Sequence, residues 1–443
     1  MLKEDTTELS IANERILSMK NARCGNKPQG EKKFHVTGRM ITAVIFVIAL
    51  YAMLFRMIKT NQDITDAFKE SYTANKGNVL DKTAAGITSA ESTINKSIVG
   101  RSALIDLHGL LQVMLGRKEV EERRVHYYVY KMDNGQLTYA YSTYGTNWIV
   151  NQFKGLKAEC DAQGAKLLYV QWPFKVDKYN NLLPHGKEDF TNKNVDRLLA
   201  GLEKNKIAAL DYREVLHEKY GSGEPYASLF FDTDHHWRTE TAFEAYVYLL
   251  NYLSENYGYE YDPKIVDKNN FVFETVEDCF IGSLANRTGK LYGGIDDFTY
   301  VYPSFETDYV WEKYGKGMSK LLTRKGSFNE TLFFETVKEE PDIAKPYRDN
   351  CYFNGNPALV HITNNKVEKG KILFVCDSFS KPIVSFLSLA LNHIEFMDLR
   401  DFSQTDLVDY IKDRDLEMVI VAYSASAIKP STAGFFQFRT IEK

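Results

Sequence analysis

The architecture this 443-residue sequence predicts is an α/β fold: a parallel sheet with helices on both faces, preceded by one transmembrane helix. Three observations predict it. Toward the C-terminus, short apolar runs alternate with helically spaced segments through short connections, the pattern of a parallel sheet covered by helices. Near the N-terminus, one apolar stretch, extended past a single arginine, is long enough to span a bilayer. Between them, 44% hydrophobic and 26% charged residues give the balance of an ordered globular chain, which excludes general disorder.

The apolar stretch runs from Met40 to Phe55 (MITAVIFVIALYAMLF), bracketed by Arg39 and Arg56. Extended through Met57 and Ile58 it reaches the ~17–25 residues a span requires, with Arg56 snorkelling to the headgroups. Lys20, Arg23, Lys27, Lys32, Lys33 and Arg39 precede it, whereas Lys59 and Lys69 beyond it are diluted by Asp63, Asp66 and Glu70. The positive-inside rule therefore predicts a single-pass protein of the cell membrane with a cytoplasmic N-terminus and an extracytoplasmic remainder. The rivals are a buried core helix and a cleaved signal peptide; the latter calls for a short basic start and a small-residue cleavage site, and neither is evident. Residues 1–39 read as a cytoplasmic tail, 40–58 as the transmembrane helix and 59–96 as an extracytoplasmic stalk. Residues 60–95 are rich in Thr, Ala, Ser, Asn and Lys, and their periodicity is too weak to assign helix or coil.

Residues 97–443 read as one folded unit. Trp148, Phe153, Leu156 and Cys160 share one face of a helix ending at Gly164, and a strand follows at Lys166–Gln171. Asn194–Lys204 is a second helix and Ile207–Leu210 a second strand. KILFVC (371–376) is an almost continuous apolar run, as expected of a strand buried on both faces. Helix Ser380–Ala390 with its early Pro382, strand His393–Met397, helix Ser403–Asp413 and strand Met418–Ala422 complete the pattern.

Several function classes fall away. A formal net charge of −4 gives nucleic acid no electrostatic claim as a partner. The negative mean hydropathy excludes a multi-span protein. Five cysteines without a C-x-x-C pair suit neither a disulfide scaffold nor a zinc ribbon. Cys160 and Cys376 fall in packed elements as small apolar fillers, while a Cys279–Cys351 pairing stays open. No P-loop and no G-x-G-x-x-G after a strand is present, so no nucleotide cofactor is expected.

Two places carry chemistry. The strand 371–376 ends in Asp377-Ser378-Phe379-Ser380 with a helix at once behind it. A serine there either caps the helix or presents its hydroxyl beside the amides of the helix N-terminus, which are ready donors for an oxyanion. The second place is FFDTDHHWRTE (230–240), before an amphipathic helix that Thr239 or Thr241 can cap, with Phe243, Tyr246, Leu250 and Leu253 inward. An aspartate two residues before a histidine can accept the Nδ1 proton and leave Nε2 as a general base. A metal site and a purely structural loop are the alternatives; adjacent histidines on an extended loop are expected to point apart, which disfavours metal.

Asp234-His235-His236-Trp237 resembles the signature of the DHHW family, itself similar to the SGNH-hydrolase-like extracytoplasmic alginate and polysaccharide O-acetyltransferase proteins. The resemblance covers most of 95–427, including SALIDLHGLLQVMLGRKEV, VQWPFKVDKYNNLLP, IGSLANRTG and KILFVCDSFSKPIVSFLSLALNHIEFMDLRDF. It implies an SGNH-hydrolase-like (flavodoxin-like) domain over 97–443, with Ser378 as nucleophile, His236 as base and Asp234 as its orienting partner. Arg400 and Tyr423 are implied near the mouth as binding residues. Cys376 stands where the wider superfamily has glycine, Phe379 replaces a frequent tyrosine, and Tyr423-Ser424 stands where Tyr-Asn is common, which leaves the Ser378 backbone amide as the expected oxyanion donor. The implied activity is acetyl transfer to a cell-surface or secreted polysaccharide through an acyl-enzyme, without cofactor or metal. A multi-span membrane acyltransferase is implied as the partner that supplies acetyl groups. An acetyl-polysaccharide esterase and a non-catalytic glycan-binding component are the alternatives.

Overall fold

The computed structural model describes residues 38–59, 61–75, 77–98, 100–122, 127–315, 318–343, 348–402, 405–412, 414–429 and 434–439. All of the expected tail except its last two residues lies outside them. The chain divides into two compact units, Met1–Arg101 and Ser102–Lys443.

In the first unit the apolar stretch forms one helix, Gly38–Lys59, with Val44, Phe46, Ile48 and Tyr51 exposed. Among the described residues no single helix is long and apolar enough to cross a membrane; Met40–Arg56 and Asn61–Ala74 reach that measure only together, bent by 59° at the break between them. Most of the stalk region is helical, which its weak periodicity left undecided. Asn61–Ala74 and Val79–Ser97 are helices, with Asn78 capping the second by accepting from the Asp81 N–H at 3.0 Å. They pack as a hairpin: the Ser71 hydroxyl donates to Ala85 O at 3.1 Å, and Gly86 lets the Phe68 ring come so close that a Cβ there would lie 2.7 Å from it.

Helix Arg101–Met114 begins on the last residue of the first unit and leads the second, followed by a small antiparallel sheet, β1 (Glu119–Glu122), β2 (Tyr127–Lys131) and β3 (Leu137–Tyr139). Helix Asn147–Gln163 ends where expected, with Gly164 left-handed at φ 75°, and delivers β4 (Lys166–Trp172). Helix Thr191–Lys204 and β5 (Ala208–Asp211) follow. A two-stranded ribbon, β6 (Phe271–Phe280) with β7 (Asp296–Pro303), is an excursion from the main sheet. The remaining strands are β8 (Tyr309–Tyr314), β9 (Lys320–Gly326), β10 (Leu359–Asn364), β11 (Lys371–Cys376), β12 (His393–Met397) and β13 (Met418–Ser424).

The main sheet has eight strands in the order β5-β4-β13-β11-β12-β10-β8-β9. Its first five run parallel, as the C-terminal alternation predicts, but β10 pairs antiparallel with β12 and β8 and β9 continue antiparallel. The sheet is therefore mixed, not wholly parallel. The three added strands escape the pattern because no crossover helix announces them. Strand period 2 splits the sheet residues between two cores. Leu168, Val170, Phe374, Cys376 and Ile420 join helices Tyr212–Tyr220, Thr239–Tyr257 and Lys381–Leu387 on one face. Tyr169, Leu373, Val375, Val419 and Val421 join helices Asn147–Gln163 and Thr191–Lys204 on the other. The region expected as helix Ser403–Asp413 contains one helical turn, Leu407–Tyr410; Ser403, Gln404 and Asp413 lie outside the described residues. No disulfide joins the buried Cys279 and Cys351.

Candidate active site

β11 delivers Ser378 at its carboxyl end, where groups outside a parallel sheet converge. Neither serine of Asp377-Ser378-Phe379-Ser380 gives its hydroxyl to cap helix Lys381–Leu387 behind it. Asp377 caps the 3-10 turn Ser378–Ser380 instead, accepting from Phe379 N at 3.1 Å and, through its second oxygen, from Ser424 N at 2.9 Å on β13. That bond takes the Phe379 amide out of any anion-binding role. The Ser380 hydroxyl accepts from Trp172 Nε1 at 2.7 Å, leaving Ser378 as the serine turned to the cavity. Cys376 is fully buried, and burial pushes its thiol well above the usual range, as suits a packing residue.

The Asp-x-His segment is a tight loop closed on itself. Phe230 and Trp237 form an antiparallel bridge, and Phe231 N donates to His236 O at 3.1 Å. Asp296 grips the loop from β7, accepting from Asp232 N at 2.9 Å, Thr233 N at 2.8 Å and the Thr233 hydroxyl at 2.6 Å. Buried Lys175 grips it from the other side, donating to Leu137 O at 2.7 Å, Phe231 O at 2.5 Å and also to Asp234 O. Burial lowers its pKa to about 8, so the three carbonyls satisfy an ammonium that is costly to hold there. Thr239 and Thr241 do not cap the following helix. Both sit in its first turn, and the Thr241 hydroxyl donates to Leu229 O at 3.0 Å.

This loop supplies two of the three groups that meet, and the end of β11 supplies the third. His236 Nδ1 lies 2.7 Å from Asp234 Oδ1, and His236 Nε2 lies 2.7 Å from Ser378 Oγ. The ring is sandwiched near Phe379, with centroids 4.9 Å apart. Asp234 is fully buried and also accepts from His236 N at 3.0 Å and from Ser283 N. Burial works to raise the Asp234 pKa, but the two neighbouring imidazoles outweigh it and hold the carboxyl well below its ordinary range. The adjacent histidines do not point apart. Their rings stack 4.0 Å apart, and His235 Nδ1 lies 3.1 Å from the same Asp234 oxygen and 3.0 Å from Ser283 Oγ. Burial, then His236, lowers His235 to about 4, which keeps it neutral at physiological pH.

Sequence reasoning missed the segment 281–289 as a working part, though it was visible as a family motif. Gly282 N donates to the Thr233 hydroxyl at 2.8 Å, and Leu284 N and Ala285 N both donate to Thr233 O at 3.1 Å. The backbone approach is so close that a Cβ on Gly282 would meet Asp234 Cβ and Thr233 O at 2.5 Å.

Ser378 opens into a 220 Å³ cavity lined also by Tyr139, Tyr141, Arg287, Arg400, Ser424 and Lys429. Arg400 lies where the resemblance implies, its guanidinium forked onto Asp398 at 2.9 and 2.5 Å and stacked 4.9 Å from the Phe435 centroid. Tyr423 does not reach the mouth. The β13 period puts it with Val419 and Val421, fully buried against Phe435 and Phe436, and its hydroxyl has no hydrogen-bond partner among the described residues. Ser424, one residue on, reaches the cavity instead. Arg287 and Lys429 arrive from loops far apart in sequence. Arg287 donates to the Tyr139 hydroxyl at 2.6 Å, and Lys429 donates to that of Tyr141 at 3.2 Å. Burial, then the nearby Arg400 and Arg287, lowers Lys429 to about 8.

Asp234, His235 and His236 offer ligand atoms within 4.8 Å of one another, as do His361, His393 and Glu395 on the sheet surface. The Asp234 oxygens are already held by Ser283 N, His236 N and the two imidazoles, and Glu395 by Tyr410 and Arg414 at 2.7 and 2.8 Å. Both clusters are satisfied by protein hydrogen bonds.

The fold is SGNH-hydrolase-like: an α/β arrangement of a mixed sheet with helices on its faces. Residues 141–286 match the family described as SGNH hydrolase-like domain, acetyltransferase AlgX. Among solved structures, Bacillus cereus PatB1 is 20% identical with a TM-score of 0.56, over 71% of this chain and 100% of that one. PatB1 with a sulfonyl adduct is 18% identical, with a TM-score of 0.58, over 71% of this chain and 99% of that one. A DHHW family protein from Eubacterium siraeum is 16% identical with a TM-score of 0.55, over 74% and 99%. No curated protein sequence matches the chain. The resemblance to DHHW proteins and SGNH-hydrolase-like acetyltransferases is thereby borne out.

Two outcomes follow from this geometry. Gly282→Ala should fold with a loss of about 1–3 kcal/mol from overpacking, while any activity that depends on Ser378 falls about 100-fold because Asp234 is displaced; urea unfolding and turnover of an activated ester read the two effects. Lys429 has a folded pKa near 8, below its ordinary 10.5. Between those values the unfolded chain keeps a proton that the folded chain has released, so this residue makes stability rise with pH across that window. Lys429→Met should remove that part of the rise, measured as the variant-minus-native difference in urea midpoints from pH 7 to 10.

Proposed function

We propose that this protein is a membrane-anchored extracytoplasmic O-acetyltransferase acting on a cell-surface or secreted polysaccharide. The observation that carries the reading is the continuous hydrogen-bonded line from buried Asp234 through His236 to Ser378 at 2.7 Å per link, opening into a small cavity. The match over residues 141–286 to an acetyltransferase-type domain supports acetyl as the group moved.

The reaction is a double displacement. Ser378 Oγ attacks the acetyl carbonyl of the donor as its proton passes to His236 Nε2, and Asp234 accepts from Nδ1–H and steadies the imidazolium. His236 returns that proton to the departing donor group, leaving an acetyl ester on Ser378. A sugar hydroxyl then attacks the ester, His236 takes its proton, and Ser378 Oγ recovers one as the acetylated glycan leaves. The donors we assign to the oxyanion are the Ser378 N–H and one hydroxyl of the Ser424–Ser426 pair, whose oxygens lie 2.8 Å apart so that one donates to the other and the second keeps its proton for the cavity. Arg400 is assigned to substrate binding, joined by Arg287 and Lys429; Tyr423 is withdrawn from that role.

The anchor we propose is the apolar helix within 40–58, with a cytoplasmic N-terminus set by the lysine and arginine excess before it. Acetyl-CoA is a cytoplasmic donor, so this topology calls for a multi-span membrane acyltransferase that passes acetyl groups outward. One relative, Bacillus cereus PatB1, has been captured as a sulfonyl adduct, and a sulfonyl fluoride is the reagent expected to titrate Ser378.

In cells that depend on this chain for glycan acetylation, Ser378→Ala should abolish O-acetyl groups on the envelope polysaccharide while the protein stays at native abundance and melting temperature. Unchanged acetylation in that strain would sink the proposal.

A further inference from the structure

Helix Arg101–Met114 has its polarity inside out. The face that packs on the domain carries Ile105, Asp106, Gly109 and Gln112, only one of them a large apolar residue. Asp106 accepts from Lys290 N at 2.8 Å. Gly109 lies so near Thr288 O that a Cβ would come to 2.5 Å, and Gly289 on the facing segment would meet Ile105 O at 2.6 Å. The opposite face is Leu104, Leu107, Leu110, Leu111, Met114 and Leu115, at the i, i+3, i+4, i+7 spacing that normally faces a core. Leu107 is 53% exposed, Leu111 48% and Met114 74%. A water-facing helix places its charges outward, and contiguous exposed leucines of this extent mark an interaction surface.

The charges say what covers it. Arg101 opens the helix and exposed Arg117 and Lys118 follow it; of the nearby acids, Asp106 is turned inward and Glu119 pairs with Lys187 at 2.5 Å, leaving Glu121 exposed. An apolar stripe with basic ends suits a bilayer with anionic headgroups, the leucines in the acyl boundary and the cations at the phosphates. A second copy of the helix fits poorly, because antiparallel pairing sets Arg101 against Arg117 and Lys118 and parallel pairing sets each cation against itself.

We infer that this helix lies in the membrane interface and docks the globular domain on an anionic lipid surface, a contact beyond the anchor proposed above. The inference stands on the helix's own pattern, and the anchor reading only supplies the membrane. The docked position has a consequence for chemistry. The segment under Gly109 is the one that carries Arg287 to the cavity and gives Ser283 N to Asp234, so the docked helix packs directly on a segment of the candidate site.

The test uses the full chain in phosphatidylcholine–phosphatidylglycerol vesicles, with Cys24→Ser and the other cysteines buried. A nitrobenzoxadiazole label is placed singly at Leu107→Cys, Leu111→Cys, Ile48→Cys or exposed Glu255→Cys, and quenching by doxyl-labelled lipid is read. Emission loss at positions 107 and 111 comparable with that at 48, and none at 255, supports the inference. Quenching at 48 alone overturns it and leaves the anchor standing; no quenching at any position removes both. Labels at 107 and 111 that are shielded from water yet not quenched by lipid also overturn it, in favour of a protein partner. Leu107→Glu with Leu111→Glu, at exposed positions, should keep the native melting temperature and lose quenching at a label placed on Met114→Cys; retained quenching there counts against lipid docking.

Discussion

Everything at the candidate site depends on keeping one buried carboxylate ionised. Asp234 is fully buried, and an unpaired charge there would cost several kcal/mol. The fold meets that demand with donors from two chain segments: His236 N, the two imidazoles, and Ser283 N. The demand explains why the Asp-x-His loop is so tightly held. Asp296 binds its amides from one side and Lys175 its carbonyls from the other, so the loop has little freedom to turn Asp234 toward water. It also explains Gly282, since only a residue without a side chain lets the 281–289 backbone come close enough to donate. With Asp234 fixed, His236 has one orientation, and Ser378 at the end of β11 lies on the line it defines.

The two neighbouring histidines show how one carboxylate gives two imidazoles different work. Both reach the same Asp234 oxygen, but only His236 has its far nitrogen on Ser378. His235 is depressed to about 4 by burial and by its neighbour, so it contributes a neutral ring and a hydrogen bond to Ser283 rather than a charge. In the cavity beyond, Arg287, Arg400 and Lys429 make an electropositive wall, and their mutual repulsion helps depress Lys429. Such a wall draws negative charge and polar groups into the cavity.

Much of this was legible in the sequence, and the limits are physical. β11, β12 and the helix ending at Gly164 were readable because burial on both faces and a glycine cap leave local marks. The D-x-H element and the strand-end serine carried their chemistry in adjacent residues. The antiparallel strands β8 to β10 were not readable, because they join the sheet without a crossover, and the β9 edge is mostly exposed. Tyr423 was misplaced for want of register: one residue along β13 exchanges the buried core for the cavity, which belongs to Ser424. Arg287 and Lys429 reach the cavity through long-range folding that no local pattern encodes. The leucine helix 101–114 misleads in another way, because its strong period marks a face turned away from the core.

The central claim is that Ser378 is a nucleophile armed by His236. Intact-mass measurement with peptide mapping after incubation with an activated acetyl ester tests it most directly. The account predicts one acetyl group on the Ser378 peptide of the native chain and none on Ser378→Ala or His236→Ala. A folded native chain that never acquires the adduct, or that acquires it equally in His236→Ala, would contradict the account.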